Sequence, residues 1–338
     1  MAENRSAHAT MFGFDFQVNA AIVLTIENIR ELHSLRLEGN AEDIELELNN
    51  HQYVLAQAKA VERSSSDFRN VRNNFKKALI SLSEGSQKKD AKQLILITNS
   101  PNPLNEKNSM SIFFGHAHRE YSSLPEYLKD IIKDYVKGIQ SPLDLNKFMI
   151  QVLPFETDND AERYKIVKEV VNEFIEEIES QDVITGKRLL TIWHEKVFKN
   201  GTRKNTSITL SKKDLVWPIM VIATDIERHN DEFTDRFDAG LYDEIVHQYR
   251  NIIESSCERY EFFIKVLSDY HAYRSSQTSR KPSKKAADFA MDKWSGYVDE
   301  LGLDNIDKDL QEGLTQIILY KIVCNRYVIQ RIKKGVKM

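Results

Sequence analysis

The chain has 338 residues, a formal net charge of −4, 41% hydrophobic residues and 29% charged ones. That length exceeds what one ordinary core serves, so two domains are expected, and the composition excludes a disordered or fibrous chain. The slightly acidic balance excludes a protein that coats nucleic acid non-specifically, but not an enzyme with a local acidic centre and basic rims.

No apolar run reads as long enough to cross a bilayer, and the opening MAENRSAHAT lacks the apolar stretch of a secretory leader. A cytoplasmic chain without membrane contact is the expectation. Cys257 and Cys324 form neither a CxxC pair nor a disulfide framework. The absence of a Gly-rich phosphate loop argues against ATP hydrolysis by the chain itself.

Residues 12–32 space Phe14, Val18, Ala21, Ile22, Ile26, Ile29 and Leu32 as one apolar helical stripe. A short extended piece, Leu35 to Leu37, follows. Ile44, Leu46 and Leu48 then alternate with Asp43, Glu45 and Glu47, the period of a half-buried strand. Asn49, Asn50 and His51 supply turn chemistry, and Tyr53 to Ala60 reads as the returning strand. Ser64 to Asp67 offer a helix start, Phe68 to Leu82 an apolar stripe, and Gly85 a stop. Gln93 to Thr98 is a buried-type strand, Pro125 to Lys137 a helix, and Lys147 to Leu153 one more strand. The first half therefore reads α-β-β-β-α-β-α-β. From about residue 160 the texture is helical, notably Ala161 to Ser180, Leu215 to Ala223, Leu241 to Tyr270 and Leu310 to Ile329. The expected division is an α/β domain over 1–210 and a mostly α-helical domain over 211–338.

Asp43 followed by Gln57-Ala58-Lys59 is the constellation with chemistry in it. Residues 57 and 59 share a strand face because side chains alternate. A three-residue connection, Asn49-Asn50-His51, sets Leu48 opposite Gln52 and hence Asp43 opposite Gln57. A one-residue slip would send the whole set to the other face. Phosphodiester hydrolysis needs a divalent metal to neutralise phosphate charge and generate hydroxide, and magnesium favours carboxylate and neutral oxygen ligands. Asp43 would be the main ligand, Gln57 a weaker amide-oxygen ligand, and Lys59 the group that orients water and stabilises phosphate charge. Glu38 is a candidate second acid and metal ligand. Glu45 is a less favoured substitute for Asp43.

Gly13-Phe14-Asp15-Phe16-Gln17, Glu38 with Glu42-Asp43-Ile44, Gln57-Ala58-Lys59 and Leu96-Ile97-Thr98-Asn99 occur in that order. This ordered set resembles the PD-(D/E)xK double-stranded-DNA endonuclease domain of bacterial anti-phage effectors. Relatives of that domain serve CBASS systems and the nuclease subunit of Lamassu systems, and the QxK variant is similar to Mrr-type restriction enzymes. The resemblance spans roughly the first 155 residues and extends at most to 210. It implies a restriction-endonuclease-like fold for the α/β domain, a magnesium cofactor that manganese can replace, and double-stranded DNA as substrate. The short helical second half favours the Lamassu-like variety. By that resemblance a chromosome-maintenance-type ATPase complex restrains the nuclease, and release with homo-oligomerisation switches it on.

Other residues carry weaker expectations beside plainer ones. Arg69, Arg72 and Lys76 lie on one helical face and could track a phosphate backbone, or form a solvated face. Gln17 could touch the active-site water network or simply pack. The Arg280, Lys281, Lys284, Lys285 group and the Arg331, Lys333, Lys334, Lys337 tail could likewise hold DNA, or be a mobile linker and tail. His116 and His118 lack a partner set for zinc and read as surface or structural. Trp193, Trp217 and Trp294 read as core or interface anchors. Two rival functions stand beside the nuclease. One is a catalytically inactive nuclease-like subunit that binds DNA or assembles, for which position 57 without a carboxylate leaves room. The other is a modified-DNA restriction enzyme, which would need a base-flipping reader domain.

Overall fold

The computed structural model describes residues 3–62, 70–156, 158–225, 233–254, 259–276 and 282–338. Contacts divide the chain into two compact units, Met1–Phe174 with Gly186–Lys212, and Ile175–Thr185 with Lys213–Met338.

The first unit is built on a seven-stranded mixed sheet in the order β5-β6-β4-β3-β2-β1-β7. Its strands are β1 (Leu32–Leu37), β2 (Ile44–Leu48), β3 (Tyr53–Lys59), β4 (Ala91–Thr98), β5 (Ala117–Glu120), β6 (Phe148–Val152) and β7 (Leu210–Ser211). β1, β2 and β3 form an antiparallel meander, whereas β3, β4 and β6 are parallel. Parallel neighbours need a crossover, and α2 (Val71–Lys88) supplies the one between β3 and β4. Helix α3 (Glu126–Val136) precedes β6.

The pleat sorts side chains to two faces. Leu55, Leu94, Leu96, Phe148 and Ile150 join Phe75, Ala78, Leu79 and Leu82 of α2 and Leu128 and Ile132 of α3 in one core. The other face meets α1 (Glu3–Asn28). Ala56 and Ala58 are small enough there for a helix to lie close, and both are buried. Helix α6 (Gly186–Gly201) covers α1 and β1 in turn. Arg36 fastens it: the buried guanidinium donates to the carbonyl oxygens of Asn200 (2.7 Å), Arg203 (2.7 Å) and Ile208 (3.1 Å).

Several expectations are corrected. Helix α1 begins earlier and ends sooner than its apolar stripe suggested, and it is buried all round from Val18 to Thr25. A window within Ala7–Asn28 is, by length and composition, apolar enough to cross a membrane, contrary to the sequence reading; 56% of it is buried inside this fold. Helix α2 runs through Gly85 to Lys88. A Cβ at Gly85 would lie 2.8 Å from Glu42 Oε1 and 3.1 Å from the Ala41 carbonyl oxygen, so this glycine serves close packing rather than termination. Strands β5 and β7 went unread, because one has four residues and the other two. The suggested helix start at Ser64 to Asp67 lies outside the described residues.

Residues 160–177 form α4 (Asp160–Arg163) and α5 (Lys165–Glu177). The second unit comprises α7 (Lys212–Ala223), α8 (Ala239–Glu254), α9 (Arg259–Ser276), α10 (Pro282–Lys293), α11 (Val298–Leu301), α12 (Lys308–Cys324) and α13 (Arg326–Val336). Helix α12 forms its centre, with Leu314, Ile317, Ile318, Leu319, Ile322 and Val323 wholly buried. Trp217 of α7 meets Phe263 of α9 edge-on at 4.9 Å. Trp193 and Trp217 are buried, and Trp294 is partly exposed. Of the stretch expected as one helix over Leu241 to Tyr270, the described residues are helical on both sides, in α8 and α9, and residues 255–258 lie outside the described residues. Arg331, Lys333 and Lys334 sit on α13, whose Ile329, Ile332 and Val336 are buried, so this basic segment is a packed helix rather than a tail. Arg280 and Lys281 lie outside the described residues; Lys284 is exposed and Lys285 buried.

Candidate active site

Asp43, Gln57 and Lys59 converge where β2 begins and β3 ends. Ile44 pairs with Ala56, Glu45 with Leu55 and Leu46 with Val54, the register that a three-residue connection sets. The Leu48 amide donates to the Gln52 carbonyl, closing that turn at 2.8 Å. The pairing thus brings Asp43 against Gln57. Asp43 Oδ2 accepts from Gln57 Nε2 and from the Ala58 amide at 3.0 Å, and Lys59 Nζ lies 3.6 Å away. The carboxylate takes up the ladder where the β2 backbone leaves it. Gln57 is buried, while Asp43 and Lys59 keep about a fifth and a quarter of their side chains open to solvent.

Glu38 closes the site from the β1–β2 connection. Its backbone is left-handed (φ 54°), its amide donates to the Asp43 carbonyl at 2.7 Å, and the Gly39 amide donates to the Glu42 carbonyl at 3.0 Å. That tight loop holds the two acids together. Partial burial, then the Asp43 charge, raise the Glu38 carboxyl above its ordinary range, and a hydrogen bond with Gln17 of α1 opposes the rise. Gln17 therefore touches the acid directly.

The neighbouring acids have other work. Glu45 is buried and spent on structure: its Oε1 accepts from the amides of Ala41 (2.5 Å) and Glu42 (3.1 Å), and its Oε2 pairs with Lys89 at 2.7 Å. A Cβ at Gly39 would sit 2.2 Å from the Glu45 carboxyl, so any larger residue there would have to displace that carboxyl from its two amides and Lys89. Glu45 is thereby removed as a substitute for Asp43. Sequence reasoning placed Glu42 in a motif but gave it no role. Burial pushes its carboxyl up to about 8, partly opposed by the Ser81 hydroxyl (3.0 Å to Oε2) and aided by the Asp43 charge. Its Oε1 is buried without a hydrogen-bond partner. A protonated Glu42 leaves the negative charge beside Lys59 to Asp43 and Glu38.

Thr98 and Asn99 fix the chain just past Lys59. Thr98 Oγ1 donates to the Lys59 carbonyl (2.6 Å), and Asn99 bonds both the amide and the carbonyl of Val61 (2.8 Å each). Both are buried. The sequence Leu96-Ile97-Thr98-Asn99 is thus a clamp on the strand that carries Lys59.

Lys59 borders a recess with Val71, Asn74 and Phe75 of α2. Beside it opens a polar cleft of about 440 Å³ lined by Val61, Glu62, Asn70, Asn73, Asn74 and Lys77. The helix face turned to this cleft is therefore Asn73, Asn74 and Lys77, not that of Arg72 and Lys76, which are exposed elsewhere on α2. Arg72 reaches the Asn105 carbonyl at 3.5 Å. Arg69 lies outside the described residues.

Asp15, from the first motif, ties α1 to α6 and to the turn between α4 and α5. It lies 3.1 Å from His194 Nε2 and accepts from the Tyr164 hydroxyl (2.9 Å) and from Asn19 Nδ2 (3.0 Å). His116 and His118 gain a partner that no spacing suggested, Glu27, described below. No family model, curated protein or solved structure matches the chain.

Proposed function

We propose that the chain is a magnesium-dependent DNA endonuclease acting in bacterial defence, of the PD-(D/E)xK kind, with Asp43, Gln57, Lys59 and Glu38 at its centre. The observation that carries this reading is the convergence of two carboxylates, an amide and an ammonium at one end of a mixed sheet. The donor set suits a hard cation: Glu38 and Asp43 offer oxygens at the rim, and the Glu38 carboxyl is raised first by burial and then by the Asp43 charge, both of which a bound cation would offset. Magnesium or manganese held by Glu38 and Asp43, with Gln57 as a weaker ligand, would neutralise phosphate charge and acidify a water.

The chain's own groups do the rest. Lys59 Nζ stands where an ammonium can steady the phosphate or hold the attacking water. Gln57 donates to Asp43 and keeps that carboxylate oriented; a half-turn of its amide would present oxygen instead. Asn73, Asn74 and Lys77 line the cleft in which the DNA backbone would run, a wall for phosphate contact rather than base reading. A cytoplasmic location, control by a chromosome-maintenance-type ATPase complex and switching by homo-oligomerisation belong to the same reading and rest on the sequence resemblance.

The rival reading is an inactive nuclease-like subunit that binds DNA or assembles. What favours it is the polarity of Gln57, which is a donor toward Asp43 rather than a third acid. Incubating the chain with supercoiled plasmid in magnesium or manganese, with a chelator control, separates the two. Metal-dependent nicking or linearisation is expected. DNA binding without cleavage under all metal conditions, including with the partner complex supplied, would leave the inactive subunit standing.

A further inference from the structure

On the sheet face opposite Gln57, three metal-binding side chains meet. Glu27 lies in the last turn of α1, His116 just before β5, and His118 within it. Ala58 pairs with Ile97 and Ile97 with Gln151, so Gln151 shares the α1 face and not that of Gln57 and Lys59. His118 pairs with Gln151 across β5 and β6 and lies on the same face. Glu27 Oε1 is 2.9 Å from His118 Nε2 and 3.9 Å from His116 Nε2, and the three ligand atoms all lie within 4.8 Å of one another.

We propose that Glu27, His116 and His118 form a binding site for a divalent transition-metal ion, zinc first among them, separate from the magnesium centre. In a tetrahedral zinc site, bonds of about 2.0–2.2 Å set ligand atoms roughly 3.3–3.5 Å apart. The Glu27–His118 and Glu27–His116 separations, 2.9 and 3.9 Å, straddle that value, so small rotations of three side chains form the site. Two imidazoles and one carboxylate select zinc and its neighbours over magnesium, which prefers oxygen alone. All three side chains keep some solvent exposure, from 20% to 40%, which gives an ion a path of entry and leaves a coordination position for water.

Gln151 supplies the independent observation. It is wholly buried, its Nε2 donates to Glu27 Oε1 at 3.0 Å and lies 3.4 Å from His116 Nε2, and its Oε1 has no partner. A buried amide oxygen without a partner is costly. The same half-turn that any amide can make brings that oxygen to the cluster, where a cation is the partner it lacks. As it stands, the amide N–H holds the Glu27 carboxylate in place, as outer groups do around metal ligands. The ion would pin β5, a four-residue edge strand, to α1, the helix that also delivers Gln17 to Glu38.

The test uses the full chain, stripped by chelator and titrated with zinc against a chromophoric competitor, with folding checked by circular dichroism. One equivalent per chain is expected, weakened at least ten-fold by Glu27→Gln, His116→Gln and His118→Ala, unchanged by Asp43→Ala and His194→Ala, and not displaced by excess magnesium. Affinity indifferent to the first three substitutions, or displacement by magnesium, overturns the proposal. Should a variant fail to fold, cobalt(II) bound to the unaltered chain decides: intense visible bands of a four-coordinate imidazole site support it, and a weak six-coordinate spectrum overturns it.

Discussion

Glu42, Asp43 and Glu45 show how little of a carboxylate's role is written in its letter. All three lie within four positions, yet Asp43 faces Lys59, Glu45 is consumed by two amides and Lys89, and Glu42 is buried against α2. Asp43, Gln57 and Lys59 were legible because period-two alternation and one turn length fix their register. Glu42 was not, since its burial depends on Ser81 and Gly85, far along the chain. Its raised value has a consequence with a definite sign. The folded chain holds a proton at Glu42 up to about pH 8, whereas the unfolded chain releases it near 4.5. Stability therefore falls as pH rises between those values and levels off above them. Glu42→Gln, which keeps the shape and cannot ionise, should gain on the parent across that window, by on the order of a few kcal/mol. Urea midpoints of the pair measured from acid to alkaline pH read this; a constant difference contradicts it.

At the scale of elements, the strands and helices with long periodic patterns were readable, and the boundaries that depend on partners were not. Strand β5 buries Ala117 fully and no other residue of its four, so no alternation announces it. Gly85 looked like a stop because glycine commonly ends helices. In fact α2 needs the missing Cβ to let Glu42 lie against it. Gly85→Ala gains about 1 kcal/mol of helix propensity, but the clash with Glu42 Oε1 and the Ala41 carbonyl costs about 1–3 kcal/mol. A net loss of stability is expected in thermal unfolding, and it should shrink when Glu42 is Ala. A stabilised single variant contradicts that packing. Gly39→Ala meets a nearer obstacle, the Glu45 carboxyl, and should disturb the loop that positions Glu38, visible as a larger drop in the melting temperature than at Gly85.

Over the whole molecule, the change from α/β to helical texture marked two units, and the contact boundary falls at Lys212/Lys213. What no composition shift could reveal is the return of Ile175–Thr185 to the second unit. Ile178 packs against Gly335 of α13, where an added Cβ would come within 2.5 Å. Ile178→Ala should therefore cost about 2–5 kcal/mol in the helical unit. Amide exchange should quicken in α13 and stay unchanged in β3 and β4; faster exchange in the sheet instead would place this segment with the first unit.

The central claim is that one end of the sheet, where β2 begins and β3 ends, is a hydrolytic centre. Its most direct test is metal-dependent plasmid cleavage by the chain beside Asp43→Ala and Lys59→Ala, with melting temperatures matched first. Each substitution removes a group proposed to hold the metal or stabilise phosphate charge, so each should lower the rate by about 100-fold or more while DNA binding persists. Cleavage that survives both substitutions at the parent's rate would contradict the account.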